Sequence, residues 1–376
     1  MAQLRSSLDP NATTVEDIPA FDVAVAYEIY RAFLAPVEKG WQSAKSLIVV
    51  ADGALSFLPL AILPTKPPAA LKDSAVVFSS YRSVPWLART HAITTVPSVA
   101  SLKALRASPA RAAKEPFVGF GDPYFNAEQA AQGAKDGGET QLAMRGGKMP
   151  LVRRNASVAE ADSTKLANLP RLADTRAELL NIARALKADP QKDVFLGKDA
   201  NTERVKTMPL RDYRVLAFAT HGLVPGELDG LAEPALALSA PDVAGVQGDG
   251  LLKLDDILGL KLDADWVVLS ACNTAAGDGA GAEAISGLGR AFFYAGTRAI
   301  LATSWPVHSA SAAKLTSELF RRQAGEGQPA RAEALRQAMV AIIDGKGNED
   351  QGSGKEVFAY AHPLFWAPYS LYGDGG

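Results

Sequence analysis

The chain has 376 residues, 48% of them hydrophobic, with one cysteine, four histidines and a formal net charge of −2. That length is more than one small core needs and suits two compact halves. The charge excludes a global basic field for nucleic acid or a membrane surface, and a lone cysteine with scattered histidines excludes an internal disulfide and a multi-cysteine or clustered-histidine metal site.

Residues 1–20 are polar, with breakers at Asp9-Pro10 and Ile18-Pro19, and read as a loosely attached lead-in. They lack the apolar core of a secretory signal, and no apolar run approaches the ~20 residues that span a bilayer. The expected setting is cytoplasmic, with no membrane partner, for a chain that is also readable as the trimmed end of a longer protein. An amphipathic helix follows Phe21, with Val25, Ile29, Ala32 and Phe33 on one face and Pro36 ending it. Leu47 to Ala51 reads as a buried strand, and Leu58 through Pro67-Pro68 as extended connection. Val76 to Phe78 and Ile93 to Val96 read as strands flanking a short helix near Trp86. Ser98 caps a helix running to Arg106. Phe117 to Phe120 is another strand, closed by Gly121-Asp122-Pro123.

Residues 127–150 are rich in Gly, Ala and Gln with little periodicity, and read as a flexible insertion and a boundary between residues 1–150 and 151–376. Beyond it, Thr175 and Glu178 have capping-box spacing before a helix with Leu179, Ile182 and Leu186 on one face. Strands are expected at Val194 to Leu196, Val215 to Thr220 and Ala235 to Ser239. Trp266 to Leu269, a Gly-rich loop, a helix with Ile285, Leu288 and Phe292 on one face, and Ala299 to Thr303 form the βαβ unit of a parallel sheet. Helices follow, one with Ala312, Leu315 and Leu319 inward and one over Ala330 to Ile343. Residues 344–356 read as a mobile loop, and Tyr369 to Leu371 as a short terminal strand. Strands alternating with helices twice over imply an α/β chain of two α/β/α units.

The chemistry centres on two strand ends. Cys272 follows the buried run Trp266 to Leu269, and His221 follows Val215 to Ala219, so adjacent parallel strands would bring both to one sheet edge, where open α/β sheets place their chemistry. The thiolate is the nucleophile, and a neighbouring imidazole takes its proton and later protonates the leaving amine. Gly222 removes a side chain where a peptide would pass, and its amide, with that of Cys272, is expected to serve a developing oxyanion. His308 follows the second strand of the βαβ unit and is read as pocket lining or surface; His91 and His362 are read as structural or surface. The loop at Gly277 to Gly281 lacks the lysine and hydroxyl of a phosphate-binding P-loop, and no G-x-S-x-G elbow is present.

These residues also carry a resemblance. Ala219-Thr220-His221-Gly222, Leu269-Ser270-Ala271-Cys272-Asn273-Thr274, Gly287-Leu288 with Arg290-Ala291-Phe292, and Ser304-Trp305 with Val307 resemble a CHAT domain. So do Asp52-Gly53 with Leu58-Pro59, and His362-Pro363 with Trp366-Ala367. The family is a caspase-like module, related to separase and gingipains and often found after tetratricopeptide repeats. It implies a caspase-like α/β/α sandwich, a pseudo-peptidase half followed by an active half, with His221 as base, Cys272 as nucleophile, and the Gly222 and Cys272 amides as oxyanion donors. It implies no metal or organic cofactor, a protein substrate, and activation by a partner or upstream repeats. Ser270, Trp305, His308 and Ser309 are expected to line the substrate site. Separase-like relatives that prefer arginine carry an acid shortly after W-x-V, and here Pro306-Val307-His308-Ser309-Ala310 holds none. A P1 arginine would lack a charge partner, so a neutral or small P1 residue is expected unless Asp278 or Glu283 lines the pocket. The rivals from other classes are a non-catalytic interaction scaffold and a nucleotide-binding α/β protein.

Overall fold

The apolar runs become neighbouring strands in the computed structural model, which describes residues 2–8, 12, 14–51, 53–107, 115–135, 166–270, 287–325, 327–350 and 353–376. The strands are β1 (Ser46–Val49), β2 (Ala92–Thr95), β3 (Val118–Gly121), β4 (Val194–Leu196), β5 (Val215–Ala219), β6 (His221–Leu223), β7 (Ala235–Ala237), β8 (Leu251–Lys253), β9 (Trp266–Leu269), β10 (Ala299–Thr303), β11 (Asn348–Glu349), β12 (Glu356–Phe358) and β13 (Tyr369–Gly373). Eight of them form one sheet in the order β1-β2-β13-β10-β9-β5-β3-β4. β10, β9, β5, β3 and β4 are mutually parallel. β13 is antiparallel to β10 and parallel to β2, which is parallel to β1. The sheet therefore holds two parallel sets running in opposite directions, joined at β10 and β13.

The two-residue period of each strand sorts its side chains into two layers. Val215, Ala217 and Ala219 of β5, Trp266 and Val268 of β9, and Ala299 and Leu301 of β10 face one core. The helices Asp174–Ala185, Ser309–Ala324 and Arg331–Asp344 cover it. Leu216, Phe218, Val267, Leu269, Ile300 and Ala302 face a second core under the helix Gly287–Ala295 and the segments around Val205 and Ile257. The fold is thus an α/β/α sandwich, the expected class, and its one eight-stranded sheet takes β1, β2 and β3 from residues 1–150 and the other five strands from residues 151–376. Because both faces are covered, β5 and β9 are apolar at every position and β10 at all but its last, Thr303, which is why they read as continuous runs. The helix Gly287–Ala295 lies between β9 and β10 in the chain, as the βαβ reading predicts, with Leu288 and Phe292 buried; Ile285 and the Gly-rich loop lie outside the described residues. The helix ends at Gly296, whose φ of 113° and close approach to the Leu262 carbonyl leave no room for a side chain.

Elsewhere local signals were overridden. The lead-in is packed rather than loose: the helix Ala2–Leu8 buries Leu4 and Leu8, and Val15 and Ile18 join the same core. The helix Val23–Phe33 buries Val23, Ala26 and Tyr30, one step out of phase with the expected face, and Phe33 is 58% exposed. β1 is an edge strand with Ile48 50% exposed, not a buried one. Val77 makes only an isolated bridge to Phe358, and a short 3-10 turn at Leu60–Ile62 interrupts the extended connection expected from Leu58. Ser98 does cap its helix, accepting from the Ser101 N–H at 3.0 Å. Residues 127–135 form a helix, Ala127–Lys135, and β11 pairs with β12 inside the segment expected to be a mobile loop. Among the described residues no helix is long and apolar enough to cross a membrane.

Candidate active site

β5 and β9 lie side by side, with Val215 opposite Trp266 and Phe218 opposite Leu269, and the Ser270 N–H continues the ladder to the Phe218 carbonyl at 3.0 Å. The interval in sequence from Phe218 to Leu269 is the same as that from His221 to Cys272. Cys272 itself lies outside the described residues, as do Asp278 and Glu283.

After β5 the chain passes through Thr220, whose hydroxyl donates to the Ala237 carbonyl, and enters β6 at His221. β6, β7 and β8 form a small antiparallel sheet with its own apolar cluster of Leu223, Leu228, Leu231, Ala235, Ala237 and Leu251, which also includes Phe125 and Leu169. His221 is fully buried, and the Phe125 ring lies 5.4 Å from its own. Its Nε2 is 2.7 Å from the Pro170 carbonyl. A carbonyl only accepts, so Nε2 carries a proton, and in the neutral form of the ring Nδ1 is the acceptor nitrogen. Gly222 stands opposite Leu236 in the β6–β7 ladder.

Pro170 sits in a short segment held from one side by residues just past β3. Arg171 donates to the Asp122 carboxylate from Nε at 2.7 Å and from Nη2 at 2.9 Å, and its guanidinium lies 5.1 Å from the Tyr124 ring centre. Arg176 adds a contact to Asp122 at 3.3 Å. Asp122 is fully buried with a φ of 47°, and its backbone is fixed as well: its N–H donates to Thr175 Oγ1 at 2.7 Å, and its carbonyl accepts from the Gly197 N–H at 3.1 Å. Gln129 donates to the Leu169 carbonyl at 2.8 Å while accepting from the Phe125 N–H, and Asn126 donates to the Ala167 carbonyl at 2.8 Å.

The residues expected to line a substrate site are turned inward. Ser270 is buried, and its hydroxyl contacts Glu178 at 3.2 Å and Tyr369 at 2.9 Å. Trp305 is buried in the helix-covered core and donates to the Leu364 carbonyl at 3.2 Å. His308 caps the helix Ser309–Ala324 by accepting from the Ser311 N–H at 3.3 Å, with its ring among Phe358, Tyr360 and Phe365. The Ser309 hydroxyl is buried and finds no hydrogen-bond partner among the described residues. Thr175 and Glu178 do not form a capping box: Thr175 braces Asp122, and Glu178 is a fully buried carboxylate approached by the hydroxyls of Ser270, Thr316 and Tyr369.

Sequence reasoning singled out His221 but missed Asp122, Gln129, Pro170 and Arg171. The signal for Asp122 was its place after a strand, which reads equally well as an ordinary turn. Pro170 acts through its backbone carbonyl, which no residue type announces.

Residues 23–374 match the family model described as CHAT domain. None of the curated proteins matches the sequence. Among solved structures, the chain is similar to separase in the Saccharomyces cerevisiae separase–securin complex, at 13% identity and a TM-score of 0.40, over 80% of this chain and 15% of that one. It is also similar to the Arg-specific cysteine proteinase gingipain R, at 10% identity and a TM-score of 0.48, over 96% of this chain and 69% of that one. A third similarity is to the complex of the Porphyromonas gingivalis RgpB pro- and mature domains, at 9% identity and a TM-score of 0.45, over 96% and 70% of the two chains. The chain therefore spans only a small part of the separase chain that it matches.

Proposed function

We propose that this chain, which belongs to the CHAT domain family, is a cysteine endopeptidase in which His221 and Cys272 hydrolyse peptide bonds of a protein substrate. The observation that carries the reading is the pairing of β5 with β9 in a register whose interval is also that between His221 and Cys272. The state of the imidazole supports it. With Nε2–H donated to the Pro170 carbonyl, Nδ1 is the nitrogen that accepts a proton.

In the proposed reaction Nδ1 removes the Cys272 proton as sulfur attacks the scissile carbonyl. The Gly222 and Cys272 amides stabilise the oxyanion, and the imidazolium then protonates the leaving amine. A thioester remains, and water attacks it with His221 again taking the proton, which returns the thiol and releases the acid. No residue of Ser304–Ala310 carries a carboxylate, so P1 is proposed to be neutral or small. The burial of His221, Trp305 and His308 favours a latent state that opens on binding an activating partner, for which upstream tetratricopeptide repeats are the proposed source.

The test is cleavage mapping. Wild type, Cys272→Ala and His221→Ala would be incubated with a proteome-derived peptide library, and new N-termini identified. Cuts by wild type that fall by about 10³-fold or more in both variants are expected. Cuts at equal rates in all three, or a folded Cys272 that iodoacetamide does not modify in a protein that cuts nothing, would favour the interaction scaffold instead.

A further inference from the structure

Three contacts hold the segment carrying Pro170 at alternate residues. They run from Asn126 to the Ala167 carbonyl, from Gln129 to the Leu169 carbonyl, and from Asp122 to the Arg171 side chain. Between the last two, the Pro170 carbonyl faces His221 Nε2 at 2.7 Å. Anchors of this kind resist sliding and rotation of the intervening peptide, because shifting residue 170 would break contacts on both sides of it. Two of the anchors are expensive to release. Asp122 is fully buried, so parting it from Arg171 would leave a carboxylate in the interior with only the longer Arg176 contact, and Gln129, also buried, uses both ends of its amide. The acidic anchor is itself fixed through its backbone by Thr175 and Gly197.

From this geometry we infer that Asp122, Gln129 and Arg171 are positioning residues that hold the Pro170 carbonyl on His221 and so fix the imidazole in its Nε2–H form, with Nδ1 as the proton acceptor. They act through one backbone carbonyl, in the way an orienting carboxylate fixes a catalytic imidazole in serine hydrolases, but with a neutral acceptor held by a buried ion pair one residue away. The importance of the ring for catalysis rests on the peptidase reading above; the control of its tautomer does not.

The test uses Gln129→Leu and Arg171→Lys in the full chain. Arg171→Lys keeps the charge beside Asp122 but loses the two-pronged contact. Gln129→Leu puts an apolar side chain of similar size in its place and frees the Leu169 carbonyl and the Phe125 N–H. Long-range ¹H–¹⁵N correlation spectra of the imidazole rings report each tautomer, and with four histidines in the chain His221 is assigned by its loss in His221→Gln. In wild type a single Nε2–H form is expected, and in either variant an admixture of Nδ1–H. On a peptide cut by wild type, kcat is expected to fall by about 10–100-fold with KM within about twofold. A folded variant that retains the single Nε2–H form and wild-type kcat would overturn the inference. If wild type cuts no peptide, as a latent peptidase would not, the ring spectra alone decide: a changed tautomer upholds the positioning role, and an unchanged one ends it. If Arg171→Lys does not fold, the spectra and kinetics of Gln129→Leu decide between the same two outcomes.

Discussion

Glu178 shows how a single carboxylate can tie together elements far apart in the chain. It projects from the helix Asp174–Ala185 and is approached by the hydroxyls of Ser270, just past β9, Thr316 of the helix Ser309–Ala324, and Tyr369 of β13. A fully buried carboxylate is tolerated only when hydroxyl or amide donors replace the water it lost. Glu178→Leu would fill the space yet leave the Ser270 and Tyr369 hydroxyls one acceptor short, while Thr316 keeps the Ala312 carbonyl. The expected loss is about 2–4 kcal/mol in urea unfolding at an unchanged m-value. Glu178→Gln keeps one carbonyl oxygen for the same donors and is expected to cost about half as much. A Leu variant as stable as wild type would show that the cluster contributes nothing net. The spacing of Thr175 and Glu178 matched a capping box, and nothing local in the sequence separates a carboxylate that bends back to its own helix from one that enters the core.

Among the elements, the legible ones were those whose partners cover both faces. β9, the helix Gly287–Ala295 and β10 were read correctly because a strand buried on two sides must be apolar throughout, and the crossover helix needs an apolar stripe. The parallel pairing of β5 with β9 followed from the same pattern. Where one face meets solvent, the pattern misled. Leu47 to Ala51 is as apolar as a central strand, but β1 lies at the sheet edge with Ile48 and Val50 half-exposed. The lead-in failed in the other direction. Its apolar residues are few and widely spaced, so only the tertiary core that receives Leu4, Leu8, Val15 and Ile18 reveals their role. The difference between edge and centre is measurable. Ile48→Lys is expected to change stability by no more than about 0.5 kcal/mol, since it removes little buried surface and places a charge where edge strands carry one. Leu301→Ala in β10, fully buried, is expected to cost about 2–5 kcal/mol. Chemical denaturation of both variants beside wild type checks the contrast, and equal losses would contradict the placement of β1.

At the scale of the whole molecule, His362 is where separate stretches of the chain meet. Its ring lies among Phe21 of the lead-in, Phe78 and Tyr81 from before β2, and Phe365 of the last short helix. Its Nδ1 accepts from the Leu364 N–H at 3.2 Å, so the ring also caps the helix Pro363–Trp366. Complete burial pushes its pKa down to about 3, and the nearby Asp73 carboxylate only partly opposes that fall. The folded-state pKa lies below the unfolded value of roughly 6.5, so between the two the unfolded chain binds the extra proton. Stability from this residue is therefore fully present above about pH 6.5 and is lost as pH falls toward 3. One proton corresponds to about 1.4 kcal/mol per pH unit, or about 2–3 kcal/mol between pH 6.5 and 4.5, a window above most of the carboxylate titration. His362→Asn keeps a side-chain oxygen to cap the Leu364 N–H and removes the titration. It is expected to be less stable than wild type at pH 7.5, because the ring's packing is lost, yet to lose distinctly less on acidification to pH 4.5. Urea unfolding of both proteins across that window measures the difference in slope, and parallel curves would mean that His362 takes up its proton without unfolding the junction it fills.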